Sequence, residues 1–290
     1  MSLFKFTTDR VVKRLRWVML GTILFSMLNT LLGQPESFWH HPETAIRGDG
    51  LSIYDRINFT FDFFLGNGWQ AYLITSLIYL SCAFLLVSIL SRKAALIAIF
   101  SFVFGHYFGA TNWLAVRWHL GISAPTIYGL VLAPIIVFSA FPILRSNTDQ
   151  VIKKIRWVML APMFLDMINT LIGQPTSYWL HPETVHEANA ISRFFLIQGW
   201  YAYVSWSMFY FSGVFWLVLI LPRRLALTCI FYFTLSHFVG ASNWFFYEWR
   251  MGMETPVILG IILSILIAVV AFPMPNEGST RDLLSDEAAA

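Results

Sequence analysis

Residues 67–90 have the sequence NGWQAYLITSLIYLSCAFLLVSIL, an apolar run without a charged side chain. A run of this length matches the roughly 20 residues that an α-helix needs to cross the hydrocarbon core of a bilayer. Hydrophobic residues make up 57% of the 290-residue chain and charged residues only 12%. A water-soluble fold cannot bury so much apolar surface. The sequence therefore predicts an all-α, polytopic integral membrane protein.

Seven further apolar runs complete a predicted set of eight transmembrane helices. The predicted bounds are 17–33, 67–90, 94–113 and 122–141 in the first half of the chain, and 157–173, 198–220, 225–245 and 255–273 in the second. The first run of each half is near the lower length limit for a span. We expect basic helical segments, capped near Thr8-Asp9 and Thr148-Asp149, to lengthen these two helices.

The second half of the chain repeats the first. Residues 11–44 align with residues 151–184 without a gap, and about 20 of the 34 positions are identical. The blocks that recur include Gly33-Gln34-Pro35 as Gly173-Gln174-Pro175, and His41-Pro42-Glu43-Thr44 as His181-Pro182-Glu183-Thr184. After a longer loop in the first copy, the register resumes at Gly68 and Gly199. Chance does not produce such agreement, so the sequence indicates an internal duplication.

Each copy contains an even number of predicted spans, so both copies enter the membrane from the same side. We therefore predict two tandem, parallel four-helix repeats, related by a pseudo-twofold axis along the membrane normal. The predicted domains are a basic lead-in at 1–16, a first repeat at 17–142, a basic linker at 143–156, a second repeat at 157–273 and a disordered cytoplasmic tail at 274–290.

Lysine and arginine residues concentrate on one side of the predicted membrane. They precede the first span of each repeat or link its second and third spans, at Lys13, Arg14, Arg16, Arg92, Lys93, Lys153, Lys154, Arg156, Arg223 and Arg224. The positive-inside rule predicts that this side and both termini are cytoplasmic. Short basic clusters beside apolar runs are typical of lipid-headgroup anchors. We therefore expect membrane lipid as a partner and no nucleic acid.

Two histidines lie within predicted spans, at the matched positions His106 and His237. An ionisable side chain inside a span is a functional candidate, because leaving it unpaired in hydrocarbon is costly. If both imidazoles face the pseudo-twofold axis, they could ligate one haem, pigment or metal ion between the repeats. Alternatively, each could form an interhelical hydrogen bond on a face of small residues, which is the interpretation that we favour.

Acidic residues distinguish the two copies. Ser26 of the first copy becomes Asp166 in the second, about 15 Å into its span, and Arg56 becomes Glu187. His237 is the candidate partner nearest in depth to Asp166. We hypothesise that the two form a proton- or cation-handling site; the alternative is a protonated Asp166 that donates one interhelical hydrogen bond. The other candidate ligand- or proton-binding residues are Asn29, His106, Asn112, Asn169, Glu187, Asn189 and Asn243.

Each His-Pro-Glu-Thr motif places an imidazole and a carboxylate two residues apart. Zinc or another divalent ion accepts such ligands, at His41 and Glu43 or at His181 and Glu183, and a third could come from His40, His186 or Glu187. Proline followed by glutamate is also a favourable first turn of a helix, where the carboxylate complements the helix dipole. We favour this structural interpretation.

The sequence contains no glycine-rich phosphate loop, nucleophile elbow or zinc-protease helix. We therefore expect a non-enzymatic multi-pass protein whose outward-facing polar pocket binds or passes a small ligand, an ion or a proton. Two alternatives stay open. One is an accessory subunit of a larger membrane complex that holds haem, pigment or quinone, and the other is a metal-dependent membrane enzyme. The sequence requires none of these cofactors.

Overall fold

The computed structural model describes residues 9–45, 64–141, 148–252 and 254–272, and its regular elements in these ranges are all helical. In chain order, the α-helices are α1 (Arg10–Leu32), α2 (Trp69–Ile89), α3 (Arg92–Val116), α4 (Ser123–Ala140), α5 (Thr148–Ile172), α6 (Ala190–Ile197), α7 (Trp200–Ile220), α8 (Arg223–Asn243) and α9 (Glu254–Ala271). Short 3₁₀ turns lie in the loops, and a π-helical turn at Trp244–Glu248 continues α8.

Eight of these helices are long and apolar enough to cross a membrane, and α6 is the exception. The prediction of eight spans is confirmed, and the chain has the architecture of a multi-pass membrane protein. The lead-in segments do lengthen the first helix of each half. Asp9 caps α1 by accepting hydrogen bonds from the backbone N–H groups of Val11 and Val12. The second lead-in also begins where the sequence predicts, since α5 starts at Thr148, and the residue before it lies outside the described part of the chain.

The helices are arranged with α3 and α8 at the centre. In the most apolar 18-residue stretch of each of these two helices, 56% of the residues are buried. In the corresponding stretches of α2 and α7, the share of buried residues is only 28%. Large apolar side chains on α2 and α7, including Ile74, Leu77 and Phe209, are more than half exposed. Lipid accommodates such a surface, whereas a soluble monomer rarely exposes a large apolar patch.

The two halves contact each other through their third and fourth spanning helices. Within the halves, α1 packs along α3 and α5 packs along α8; between them, α9 packs on α3 and α4 packs on α8. Aromatic rings fill the centre of this contact. The ring centroids of Phe104 and Phe238 are 4.8 Å apart, and those of Phe100 and Phe231 are 6.0 Å apart.

An ion pair fixes the start of the first helix in each half to the start of the third. Asp9 Oδ2 lies 2.8 Å from Arg92 Nε, and Asp149 Oδ2 lies 2.6 Å from Arg223 Nη2. We call the side of the helix bundle that carries these pairs the basic side. The other side, which carries the two His-Pro-Glu-Thr motifs, is the motif side.

Several of the sequence predictions fall outside the described residues. These include Thr8, Arg56, the domain boundary at 142, residues 143–147 of the linker and the tail at 274–290. The domain division therefore stays a prediction.

Candidate functional site

Asp166 on α5 and His237 on α8 are in contact within the spanning part of their helices. Oδ2 of Asp166 lies 2.8 Å from Nδ1 of His237, a distance typical of a charge-assisted hydrogen bond. The exposed fractions of the two side chains are 22% and 20%. The pair is therefore not sealed in the core of the helix bundle.

Gly240 provides the space for the carboxylate. This glycine lies three residues after His237 on α8, and a Cβ at its position would be 2.6 Å from both carboxylate oxygens of Asp166. Side chains do not approach so closely, so the absence of a Cβ allows Asp166 to lie directly against α8. At the matched Gly109, a Cβ would be 3.5 Å from Oγ of Ser26, an ordinary contact distance. The close approach is therefore specific to the acidic residue.

Aromatic side chains surround the imidazole of His237. Its ring centroid lies 6.1 Å from that of Tyr210 and 6.3 Å from that of Phe211, both on α7. Phe164, on α5, packs edge-on against Phe211 with centroids 5.2 Å apart. Apolar walls lower the local dielectric, and this strengthens the interaction between the imidazole and the carboxylate.

Polar groups continue from this pair toward the motif side. Tyr203 on α7 is 5% exposed, and its hydroxyl lies close to Thr170 and Ser207 and near the carboxylates of Asp166 and Glu187. Thr170 is one helical turn beyond Asp166 on α5, in the direction of the motif. The side chains together form a polar group that connects the intramembrane pair with the loop.

Glu187 lies in the loop between the second motif and α6, and it is half-buried. Burial is the main reason why the pKa of Glu187 is raised, and the negative charge of Asp166 adds to this effect. The backbone N–H of Asn189 opposes it by donating a 2.7 Å hydrogen bond to Oε1 of Glu187. A carboxyl group with a raised pKa takes up a proton closer to neutral pH than an ordinary glutamate does.

In the first half, the matched histidine has a different partner. Nε2 of His106 lies 3.1 Å from the hydroxyl of Tyr79 on α2. His106 and His237 therefore contact partners within their own halves, while Phe104 and Phe238 occupy the contact between the halves. The structure does not bring the two imidazoles together as ligands of one haem, pigment or metal ion.

Two of the predicted asparagines link helices. Nδ2 of Asn29 donates to the carbonyl of Ala110, and Nδ2 of Asn169 donates to the carbonyl of Ala241, each at 3.1 Å. Oδ1 of Asn29 also accepts a 2.6 Å hydrogen bond from Nε1 of Trp118. These contacts give both residues a role in holding the first and third helices of each half together.

The other predicted asparagines differ in their contacts. Oδ1 of Asn189 accepts hydrogen bonds from the backbone N–H groups of Ile191 and Ser192, so this residue caps α6. Nδ2 of Asn112 and Oδ1 of Asn243 are buried without a hydrogen-bond partner among the described residues. Buried polar atoms are nearly always hydrogen-bonded, so these two amides are the members of the set with capacity for a further partner.

The His-Pro-Glu-Thr motifs form short exposed turns. Residues Pro42–Thr44 and Pro182–Thr184 are 3₁₀ helices, as the proline–glutamate pattern predicts. Nδ1 of each motif histidine lies near Oε1 of its own glutamate, at 3.1 Å for His41 and Glu43 and at 3.3 Å for His181 and Glu183. Across the ranges that the structure describes, no group of three or more His, Cys, Asp and Glu side chains could hold a metal ion.

Sequence reasoning missed one more acidic residue on the motif side. Oε1 of Glu248 lies 3.4 Å from Nδ1 of His186, a candidate third ligand beside the second motif. The signal was available, because Glu248 stands at the position matched to Arg117. Tyr203 and the space at Gly240 were also missed, because both depend on how close the helices approach.

The chain matches no protein-family model, no curated protein and no solved structure. Its function must therefore be inferred from its own residues. The similarity between its two halves provides an internal comparison of the kind that relatives ordinarily supply.

Proposed function

We propose that the protein passes protons across the membrane by way of the Asp166–His237 pair, which they reach through a polar pocket that opens on the motif side. The observation that supports this proposal is the 2.8 Å contact between Oδ2 of Asp166 and Nδ1 of His237 within the spanning helices. Histidine is the side chain whose ordinary pKa lies nearest to physiological pH, so a small change in its surroundings changes its charge.

The charges of the pair explain why this proton would matter. With the imidazole protonated and the carboxylate ionised, the pair has no net charge. Loss of the proton leaves one negative charge among apolar side chains, which is costly in a low-dielectric environment. Release of the proton therefore favours entry of a cation or a conformational change that exposes the carboxylate. Either response makes the site suitable for proton-coupled binding or passage of a small ligand or ion.

Groups able to pass a proton lie between the pair and the motif side. The hydroxyl of Tyr203 lies close to Thr170 and near the carboxylates of Asp166 and Glu187. Glu187 is half-buried, and its raised pKa brings its protonation closer to neutral pH. Asn243, whose buried oxygen has no hydrogen-bond partner in the described part of the chain, is on the same helix as His237. We assign these residues to the pocket.

The proposal includes the arrangement of the whole chain. The halves would be tandem parallel repeats about a pseudo-twofold axis along the membrane normal, with the basic side and both termini cytoplasmic. Matched geometry supports the repeat: φ is 101° at Gly68 and 110° at Gly199, and it is 54° at His119 and 51° at the matched Arg250. The concentration of Lys and Arg on one side supports the orientation. The pocket would then open outward.

The test is proton uptake by liposomes that contain the purified protein and an internal pH-sensitive dye. After an acid step outside, with the membrane potential clamped, we expect faster internal acidification than in protein-free liposomes. Asp166→Asn and His237→Gln should each reduce the rate to that of protein-free liposomes. The matched variants Ser26→Asn and His106→Gln should keep the rate of the unmodified protein.

Folding is checked in the same samples by circular dichroism and thermal unfolding. A folded Asp166→Asn variant with an unchanged rate would overturn the proposal. An equal loss in the matched first-half variants would overturn it too, because the effect would then belong to the scaffold.

A further inference from the structure

We infer that the first half binds one anionic phospholipid on its membrane-facing surface, in a groove between α1 and α2. The groove has a volume of about 660 Å³. Its walls are almost entirely apolar and are formed by Trp17, Leu20, Gly21, Leu24, Leu80, Ser81, Phe84 and Leu85. A Cβ at Gly21 would meet no atom within 4 Å, so the groove is open along its middle.

Positive charge lies at the basic end of this groove. The guanidinium carbon of Arg16 is 4.2 Å from the ring centroid of Phe84, and its Nη1 donates to Oγ of Ser88 at 2.5 Å. Lys13 and Arg14 are exposed and precede Trp17 by four and three residues. Residues with this spacing share a helix face, so both lie one turn beyond the groove, toward the basic side.

The shape of the groove and the positive charge at its end together favour an anionic phospholipid. The groove extends from Trp17 to Leu24, about 10 Å along α1, which suits a segment of one acyl chain within the basic-side leaflet. A headgroup at the end of that chain would lie beside Lys13, Arg14 and Arg16. Basic residues at this level attract anionic lipids, so the charge favours an anionic over a zwitterionic headgroup.

The second half is a built-in control, because it keeps the charges and changes the groove. Lys153, Lys154 and Arg156 match the three basic residues of the first half. Larger side chains occupy the positions matched to the groove: Ala161 for Gly21, Phe164 for Leu24, Phe211 for Leu80 and Trp216 for Leu85. Phe164 and Phe211 pack together with ring centroids 5.2 Å apart. Charge without an open groove would hold the lipid less firmly.

The test is native mass spectrometry of the purified full-length protein, titrated separately with phosphatidylglycerol and phosphatidylcholine. We expect one retained phosphatidylglycerol and weaker retention of phosphatidylcholine. Lys13→Gln with Arg14→Gln should weaken phosphatidylglycerol binding about 25-fold, a factor of about five for each charge. The matched pair Lys153→Gln with Lys154→Gln should leave it within about twofold.

A second variant tests the groove. Leu24→Phe with Leu80→Phe copies the aromatic contact of the second half, and we expect it to abolish retention of the tight phosphatidylglycerol. Any one of three results would overturn the inference: equal binding of the two lipids, equal effects of the two glutamine pairs, or full retention by the phenylalanine variant. Should the phenylalanine variant fail to fold, the exposed glutamine pairs decide. Asp166→Asn should not change lipid retention, so this test is independent of proton uptake.

Discussion

The two histidines of the spanning helices show how the halves differ on a similar framework. His106 contacts the hydroxyl of Tyr79, whereas His237 contacts the carboxylate of Asp166. The second half has kept the matched tyrosine, Tyr210, at 6.1 Å from the ring of His237. Where the first half has Ser26, the second half has Asp166 at the matched position. This aspartate gives His237 an ionisable partner. The proposed proton site therefore depends on a residue that the two halves do not share.

The same trend extends to the motif side. Nε of Arg117 donates to the carbonyl of Gly33, a contact that fastens α3 to the end of α1. At the matched position, Glu248 instead lies near His186. Glu187 adds a further carboxylate in the second half. The second half therefore has three carboxylates at positions where the first half has none, Asp166, Glu187 and Glu248, and each lies near a histidine or near another carboxylate.

The strongest test of this difference between the halves is to add one methyl group at each of the two matched glycines, Gly240 and Gly109. Gly240→Ala places a Cβ 2.6 Å from the Asp166 oxygens, so the carboxylate must move away from His237. We expect a loss of about 1–3 kcal/mol of stability, as for overpacking of a core, together with loss of proton uptake. Gly109→Ala should cost less than about 0.5 kcal/mol, because Ser26 is at contact distance.

Thermal unfolding in detergent and the liposome assay measure the two effects. Combining Gly240→Ala with Asp166→Ser gives the counterpart of the Gly109→Ala variant, in which a serine faces the added methyl group, and it should regain stability but not proton uptake. If the double variant were no more stable than Gly240→Ala alone, the carboxylate would not be the group that the methyl displaces.

The two asparagines that link helices should differ less in their effect on stability, and here the larger loss is expected in the first half. Asn29→Ala removes two hydrogen bonds, one to the Ala110 carbonyl and one from Trp118 Nε1, whereas Asn169→Ala removes one, to the Ala241 carbonyl. We expect losses of about 2 and about 1 kcal/mol respectively, since one hydrogen bond contributes on the order of 1 kcal/mol to stability. Thermal unfolding of the two variants in the same detergent gives the ranking. A larger loss for Asn169→Ala would mean that it has further partners in the pocket.

The sequence predicts the number of spans and the depth of a residue along its helix, but it does not predict how the helices contact each other. Span number depends on composition and run length, so all eight helices were found. Depth along a helix can be counted at about 1.5 Å per residue, which is why the sequence predicts that Asp166 and His237 lie at similar depth. The rotation of a helix about its own axis, and the distance at which two helices pack, cannot be counted from the sequence in this way. The partner of His106, the space at Gly240 and the position of Tyr203 therefore required the structure.

The smallest expected effect concerns Glu187, and it depends on pH. The folded-state pKa of Glu187 is raised above its ordinary value of 4.5, mainly by burial, so the folded protein binds this proton more tightly than the unfolded chain does. Stability from this group is fully present below pH 4.5 and declines as the pH rises through the folded-state pKa. Glu187→Gln keeps the shape of the protonated form. Its thermal unfolding temperature should equal that of the unmodified protein at low pH and exceed it slightly near neutral pH. A variant that is less stable at neutral pH would mean that the ionised carboxylate has a stabilising partner in the pocket, and Glu187 would then bind a cation instead of passing a proton.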